Sequence, residues 1–279
     1  ERDVFLTIPA ETEEQSPMMR SLWSASTGMK GQETNIAVVS NNLANVTTTG
    51  FKKQRVDFED LMYQTIVESG APITSEIKYP VGVQLGHGVK PVATHRLFTQ
   101  GEYQQTDQPL DVAINGEGFF RVQLPNGDIA YTRDGAWKIS EDGIIVNSDG
   151  YTVLPETTIP MDALGINITS GGIIACKMPN QADLEVIGQI ELSDFINPAG
   201  LKALGKNLFI PTGSSGEPID GLPGTDELGE IEQGFIEMSN VKVVEEMVNM
   251  IVAQRAYEAN SKTIQTSDTM LQIANNLRR

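Results

Sequence analysis

The sequence predicts a mixed fold, a mainly β core domain between long N- and C-terminal helices that form an α-helical coiled coil. Three observations lead there: heptad-spaced apolar and small residues over 18–46, the same spacing over 250–274, and between them short Val-, Ile-, Phe- and Tyr-rich runs broken by Asn-Gly and Asp-Gly pairs.

From Met18 to Val46, Leu22, Met29, Ile36 and Leu43 form one row, and Ala25, Val39 and Val46 form a second, the pattern of an amphipathic helix with a coiled-coil seam. Gln32 interrupts the second row, and Gly28 and Gly31 each cost a helix about 1 kcal/mol relative to alanine. Such a helix is not expected to be stable alone. At the other end Met250, Tyr257, Ile264 and Leu271 recur at heptad spacing beside Ala253, Asn260, Ser267 and Ala274, whose small members permit close helix approach. Ser239 or Asn240 is suited to cap its start, and Glu245 and Glu246 fall in the early turns, where carboxylates favour the helix dipole. About 38 residues at 1.5 Å each make a rod of roughly 55 Å. Two long, weakly specified helices are best satisfied by each other and by neighbouring copies.

The middle reads as strands at 111–114, 118–122 and 128–132, separated by turns at Asn115-Gly116, Asn126-Gly127, Asp134-Gly135, Asp142-Gly143 and Asp149-Gly150. These pairs predict a meander of hairpins, continued by 185–192 and 207–210, with the two connections to the helices side by side. Residues 64–91, carrying Gln64, Pro72, Tyr79, Pro80 and Gly86, show no clean period and read as an extended loop and a candidate contact arm.

Composition narrows the function. At 279 residues and 39% hydrophobic, the chain is able to bury a real core, and its net charge of -17 with pI near 4.5 argues against nucleic acid or anionic lipid as partner. Residues 18–50 sum to +1 (Arg20, Lys30, Glu33), residues 240–279 also to +1 and residues 1–17 to -4, so the body between the helices carries -15. The single cysteine, Cys176, allows no internal disulfide and sits in an apolar run as a small hydrophobe, and with only His87 and His95 no Cys/His metal cluster is available. No cofactor or metal is expected. Gly86-His87-Gly88 lacks the Gly-Lys-Ser/Thr ending of a phosphate loop, and Asp134 and Asp142 lie where hairpin turns favour aspartate, so no catalytic residue is assigned and no enzyme is expected. No stretch of 18 or more apolar residues predicts a membrane span, and no basic-then-apolar start predicts a Sec signal. Residues 1–17 are acidic and precede Met18-Met19, which read as a native start; they are expected to be a disordered leader.

Ser40-Asn41-Asn42-Leu43-Ala44-Asn45, followed by Val46 to Gly50-Phe51-Lys52, resembles the signature of the flagellar rod and hook axial proteins. Glu237-Met-Ser-Asn240-Val241, Val244-Glu-Glu-Met247 and Ala253 to Asn260 resemble the matching C-terminal signature, and the likeness runs through Pro91–Thr94, Ile114–Phe120 and Tyr131–Gly135. It covers essentially everything from Met18 onward. Met19-Arg-Ser-Leu-Trp23 and the Tyr63–Gly88 segment resemble the distal-rod branch, with a proximal rod or hook-type member as the nearest alternative.

The resemblance implies a structural subunit that polymerises helically into a rigid drive shaft carrying torque from motor to hook. It divides the chain into residues 18–50 and 237–279 as helical domain, 51–90 as linker and rod-specific insertion, and 91–236 as outer β domain. It implies that the terminal helices line the inner tube and that the insertion keeps the rod straight. Implied partners are further copies, proximal rod proteins, hook protein, surrounding ring proteins and the type III export apparatus, at a basal body spanning the periplasm. Asn41, Asn42 and Asn45 are expected to satisfy orphan carbonyls at the helix end or to bridge to an adjacent copy, with Gly50 freeing the turn out. A β-domain binding module whose helices merely dimerise remains the reading from a different class.

Overall fold

The structure, a computed structural model, describes residues 17–70, 72, 79–179, 184–225 and 228–277. Of the leader expected over 1–17, residues 1–16 lie outside the described residues. Two long helices bracket the chain, α1 over Pro17–Ala44 and α2 over Val243–Leu277, and the described residues between them are strand, turn and loop apart from one 3-10 turn at Pro198–Gly200. The fold is mainly β with one helix at each end. The chain divides into two compact units, one of Glu1–Ala37, Val56–Thr94 and Asn249–Arg279, the other of Val38–Arg55 and His95–Val248.

In the first unit α1 and α2 run antiparallel. Ser21 Oγ lies 3.2 Å from Ser267 Oγ, and two turns on, Gly28 faces Asn260, whose amide nitrogen would stand 2.8 Å from a Cβ at residue 28. Gly31 in turn lets the Phe58 ring come to 3.3 Å of where its Cβ would be. The glycines that weaken α1 in isolation are thus its points of closest approach, where contact with a partner offsets lost helix propensity. Along α1, Ala25 is buried and Leu22, Met29, Gln32 and Ile36 are half-buried; along α2, Ala253 and Ser267 are buried and Met250, Asn260, Ile264 and Leu271 half-buried. Tyr257 and Ala274, from the same predicted rows, stand exposed.

The segment read as a loop over 64–91 contains a ribbon. Tyr63–Val67 pairs antiparallel with Val83–Gly86, with Tyr63 opposite Gly86 and a bulge between Thr65 and Val67. Gln54–Asp60 pairs with Val89–Arg96. Strands of four and five residues, exposed on nearly every side chain, present no alternating burial signal, so the periodicity that identifies a half-buried strand is missing. Residues 71 and 73–78 lie outside the described residues.

The second unit is built on a nine-stranded sheet in the order Lys202–Gly205, Leu208–Ile210, Ile129–Thr132, Phe119–Gln123, Thr152–Leu154, Ile145–Val146, Lys138–Ile139; Leu192–Asp194 also pairs with Phe119–Gln123 and carries Ile219–Gly221. Gly165–Ile168, Ile173–Lys177 and Leu184–Gln189 form a separate three-stranded sheet. One core cluster gathers Val112, Ile114, Phe120, Trp137, Ile174, Cys176 and Leu192, so Cys176 is packed as an apolar residue. A second is aromatic: Phe119 meets Phe98, Phe195 and Phe209 edge-to-face at centroid distances of 5.4, 5.8 and 6.2 Å.

Three of the five predicted turns close antiparallel neighbours. Leu124 N donates to Asp128 O around Asn126-Gly127, Ser140 N to Ile144 O around Asp142-Gly143, and Asn147 N to Tyr151 O around Asp149-Gly150, each at 2.9 Å. The other two do not. Val112–Asn115 pairs with the distant Glu230–Gln233, and at Gly135 the chain passes so close to Val112 that a Cβ would lie 1.7 Å from its carbonyl oxygen. Here glycine marks backbone approach rather than hairpin closure. Because Tyr103–Gln105 likewise pairs with Phe235–Glu237, the strands entering and leaving the β region run side by side.

Candidate functional site

The site lies in the second unit, where α1 ends and the chain leading into α2 returns beside it. Asn42, only 1% exposed, grips the backbone of Gln54 at both ends: its Oδ1 accepts from Gln54 N and its Nδ2 donates to Gln54 O, each at 2.9 Å. The second amide hydrogen goes to Glu246 Oε2 at 3.0 Å. Only a carboxamide carries an acceptor and two donors in this arrangement, which accounts for the residue type. Glu246, equally buried, holds the Lys53 ammonium at 2.6 Å through its other oxygen. One asparagine thereby joins the last turn of α1, the outgoing strand and the first turns of α2.

Beside it is a buried charge cluster. Lys52 Nζ lies 2.6 Å from Glu237 Oε1, with neither side chain exposed, and also donates to Thr99 O at 2.9 Å. Glu237 Oε1 further accepts from Gly101 N at 2.8 Å, and its Oε2 faces Arg133 Nη1 at 3.6 Å. Arg133, itself buried, donates to Gly116 O at 2.8 Å and stacks over the Phe119 ring at 5.2 Å. Burial holds the Lys52 ammonium below its ordinary pKa despite Glu237, and does the same to the Arg133 guanidinium. The Tyr103 hydroxyl, which donates to Ile114 O, is pushed up to about 12 by burial and then by the Glu237 charge.

The turn between the two is held tightly. Gly50 has φ +65°, donates its N–H to Glu237 O at 2.9 Å, and would bring a Cβ within 2.7 Å of Asp134 N. Burial raises the Asp134 carboxyl above its usual range. Phe51 is buried with the Arg96 guanidinium 6.0 Å above its ring.

Of the other signature residues, Asn45 Nδ2 donates to Asn41 O at 2.9 Å, Leu43 is half-buried, and Ser40, Asn41 and Ala44 are exposed; Val39, from the helix-packing row, is buried. Ser239 and Asn240 do not cap α2. Asn240 instead accepts from Lys53 N at 2.7 Å and donates to Leu97 O and Thr99 O, so its amide is already engaged. In the first unit, Gln64 accepts from Arg20 Nη1 at 3.0 Å, Gly86 lies against the Tyr63 ring, Tyr79 O accepts from Gly70 N, Pro80 O from Ser69, and Pro72 is exposed. Lys52, Lys53, Arg133, Glu237 and Glu246 were not singled out as site residues. Lys52, Arg133, Glu237 and Glu246 are charged residues set inside the signature motifs, and Lys53 follows the first of them directly.

Three family models match the chain: "Flagella basal body rod protein" over residues 22–52, "Flagellar hook protein FlgE/F/G D1 domain" over 113–176, and "Flagellar basal body rod FlgEFG protein C-terminal" over 232–277. The chain is 53% identical over 264 residues to the flagellar basal-body rod protein FlgG of Borreliella burgdorferi, covering 94% of this chain and 100% of that protein. It is 51% identical over 255 residues to the FlgG of Buchnera aphidicola, covering 91% and 98%. A crystal structure of the Helicobacter pylori flagellar hook protein FlgE2 aligns at 15% identity over 67% of this chain and 43% of that one, with a TM-score of 0.23, too low to establish a common arrangement.

Proposed function

This chain belongs to the FlgG family of flagellar basal-body rod proteins, and from that premise we propose that it polymerises helically into the distal rod, the rigid shaft that carries torque from motor to hook. It is a structural subunit and not an enzyme. The observation that carries the mechanical reading is the pair of buried linkages at the roots of both helices, Asn42 to Gln54 and Glu246, and Lys52 to Glu237. A shaft subunit must carry load through the roots of its helices without slip, and both linkages lie within the second unit. Hydrogen-bonded and ion-paired groups sealed from water resist such slip better than an exposed hinge, because breaking them strands charge in a dry interior.

In this reading α1 and α2 pair as a coiled coil that lines the inner tube, with residues 91–236 outside and the Tyr63–Gly86 ribbon braced against neighbours. Antiparallel contacts at Ser21–Ser267 and Gly28–Asn260 support the pairing. The helices gain most of their burial when copies surround them, and a head-to-tail contact that does not close gives a helical filament. The chain is exported through the flagellar type III apparatus to the basal body, where it joins proximal rod proteins below, hook protein above and ring proteins around it.

Deleting the gene tests this directly. Cells without the chain should build basal bodies that stop short of the hook and should not swim, with both restored by the gene in trans; hooked, swimming cells would overturn the proposal.

A further inference from the structure

The two tryptophans differ sharply: Trp137 is 3% exposed inside the β core, whereas Trp23, on α1, is 62% exposed. A large exposed aromatic on an ordered helix is the residue type that anchors interfaces. Met19, one turn earlier on the same face, is also exposed. On α2 a second uncovered apolar pair, Ile251 and Val252, is 57% and 62% exposed.

The antiparallel register sets their separation. Ser21 is level with Ser267 and Gly28 with Asn260, which puts Trp23 level with Gln265. Ile251 and Val252 stand 13–14 residues further toward the start of α2, about 20 Å along the axis at 1.5 Å per residue. Trp23 therefore has no access to this pair on its own chain.

Resting on the rod-subunit reading, we propose that Trp23 and Met19 of one copy seat on Ile251 and Val252 of the next, a heterologous contact that staggers adjacent copies by about 20 Å along the helix axis. Charge favours a second copy as the occupant. The chain carries -17 overall, yet residues 18–50 and 240–279 each sum to only +1, so copies meet at their helices without the repulsion their acidic bodies would impose. Two different patches in contact leave one of each free at every step, so growth stays open-ended.

The test is a Met19→Cys/Arg255→Cys chain in rods purified from cells and mildly oxidised, since the stagger that sets Trp23 level with Ile251 sets Met19 level with Arg255. Within one chain the two positions are too far apart to bridge, so a disulfide joins copies, and a ladder of linked chains is expected that neither single replacement produces. Trp23→Ala should lower the yield of rods roughly tenfold or more, while unchanged Trp137 emission reports an intact fold. Rods without a ladder, or Trp23→Ala rods at the parental yield, overturn the stagger and leave the rod reading standing. Failure of the unaltered chain to appear in rods overturns the rod reading itself.

Discussion

The Lys52 ammonium and the Glu237 carboxylate meet at 2.6 Å with neither side chain reaching solvent, joining the segment that leaves α1 to the one that approaches α2 across 185 residues of sequence. Buried pairs are not strong stabilisers in themselves, since desolvation offsets much of their attraction, but they are costly to break from one side. Glu237→Gln leaves Lys52 in the interior without its ion-pair partner and Arg133 with only the exposed Glu117, 3.7 Å away. We expect a loss of about 3–5 kcal/mol in urea unfolding. Adding Lys52→Met to that variant should recover part of the loss; a double variant as unstable as the sum of both singles would count against direct coupling.

Asn42→Ala removes the two Gln54 contacts and the Glu246 contact and should cost about 2–4 kcal/mol. Asn42→Asp is expected to be worse at neutral pH, because it places a carboxylate beside that of Glu246. The gap between the two variants should narrow as pH falls toward about 4, because burial and the neighbouring Glu246 raise the new carboxyl above its unfolded value and it protonates first in the folded chain. Equal stability of both variants across the pH range would show that the amide hydrogens matter little.

Tyr103 gives a signature in alkali. Its folded-state pKa, pushed up to about 12, lies above the unfolded value of about 10, so its contribution to stability is complete below pH 10 and is lost as pH rises toward 12. Ultraviolet titration should show a late-ionising phenol that disappears in Tyr103→Phe. If the phenol lost in Tyr103→Phe is one that ionises at about 10, Tyr103 sits in an ordinary environment.

Gly50→Ala should destabilise by roughly 2 kcal/mol or more, because positive φ strains any L-residue and the new Cβ meets the Asp134 backbone nitrogen at 2.7 Å rather than a movable side chain. Gly28→Ala is the contrast. There the obstacle is the Asn260 amide, which is free to rotate away, so the gain in helix propensity of about 1 kcal/mol offsets the displacement and the net change should be small. Thermal unfolding of the two variants side by side distinguishes them.

Both helices were legible because the spacing of Leu22, Met29 and Ile36, and of Met250, Ile264 and Leu271, repeats over many turns. Local hairpins were legible wherever an Asn-Gly or Asp-Gly pair joined strands adjacent in both sequence and space, as at Asn126-Gly127. Pairings made across long sequence distances were not. Nothing in the neighbourhood of Asn115 tells that Val112–Asn115 takes Glu230–Gln233 as its partner. For the same reason Asn42 was recognised as part of a signature, but its hold on Glu246, 204 residues away, was not. The Tyr63–Val67 and Val83–Gly86 ribbon escaped notice because both strands are short and exposed.

The central claim is that the terminal helices are the polymerisation element, and limited proteolysis of the monomer beside purified rods tests it most directly. Cuts within residues 18–50 and 240–279 of the monomer that vanish in rods are the predicted result. Equal cutting of these segments in monomer and rod would contradict the account.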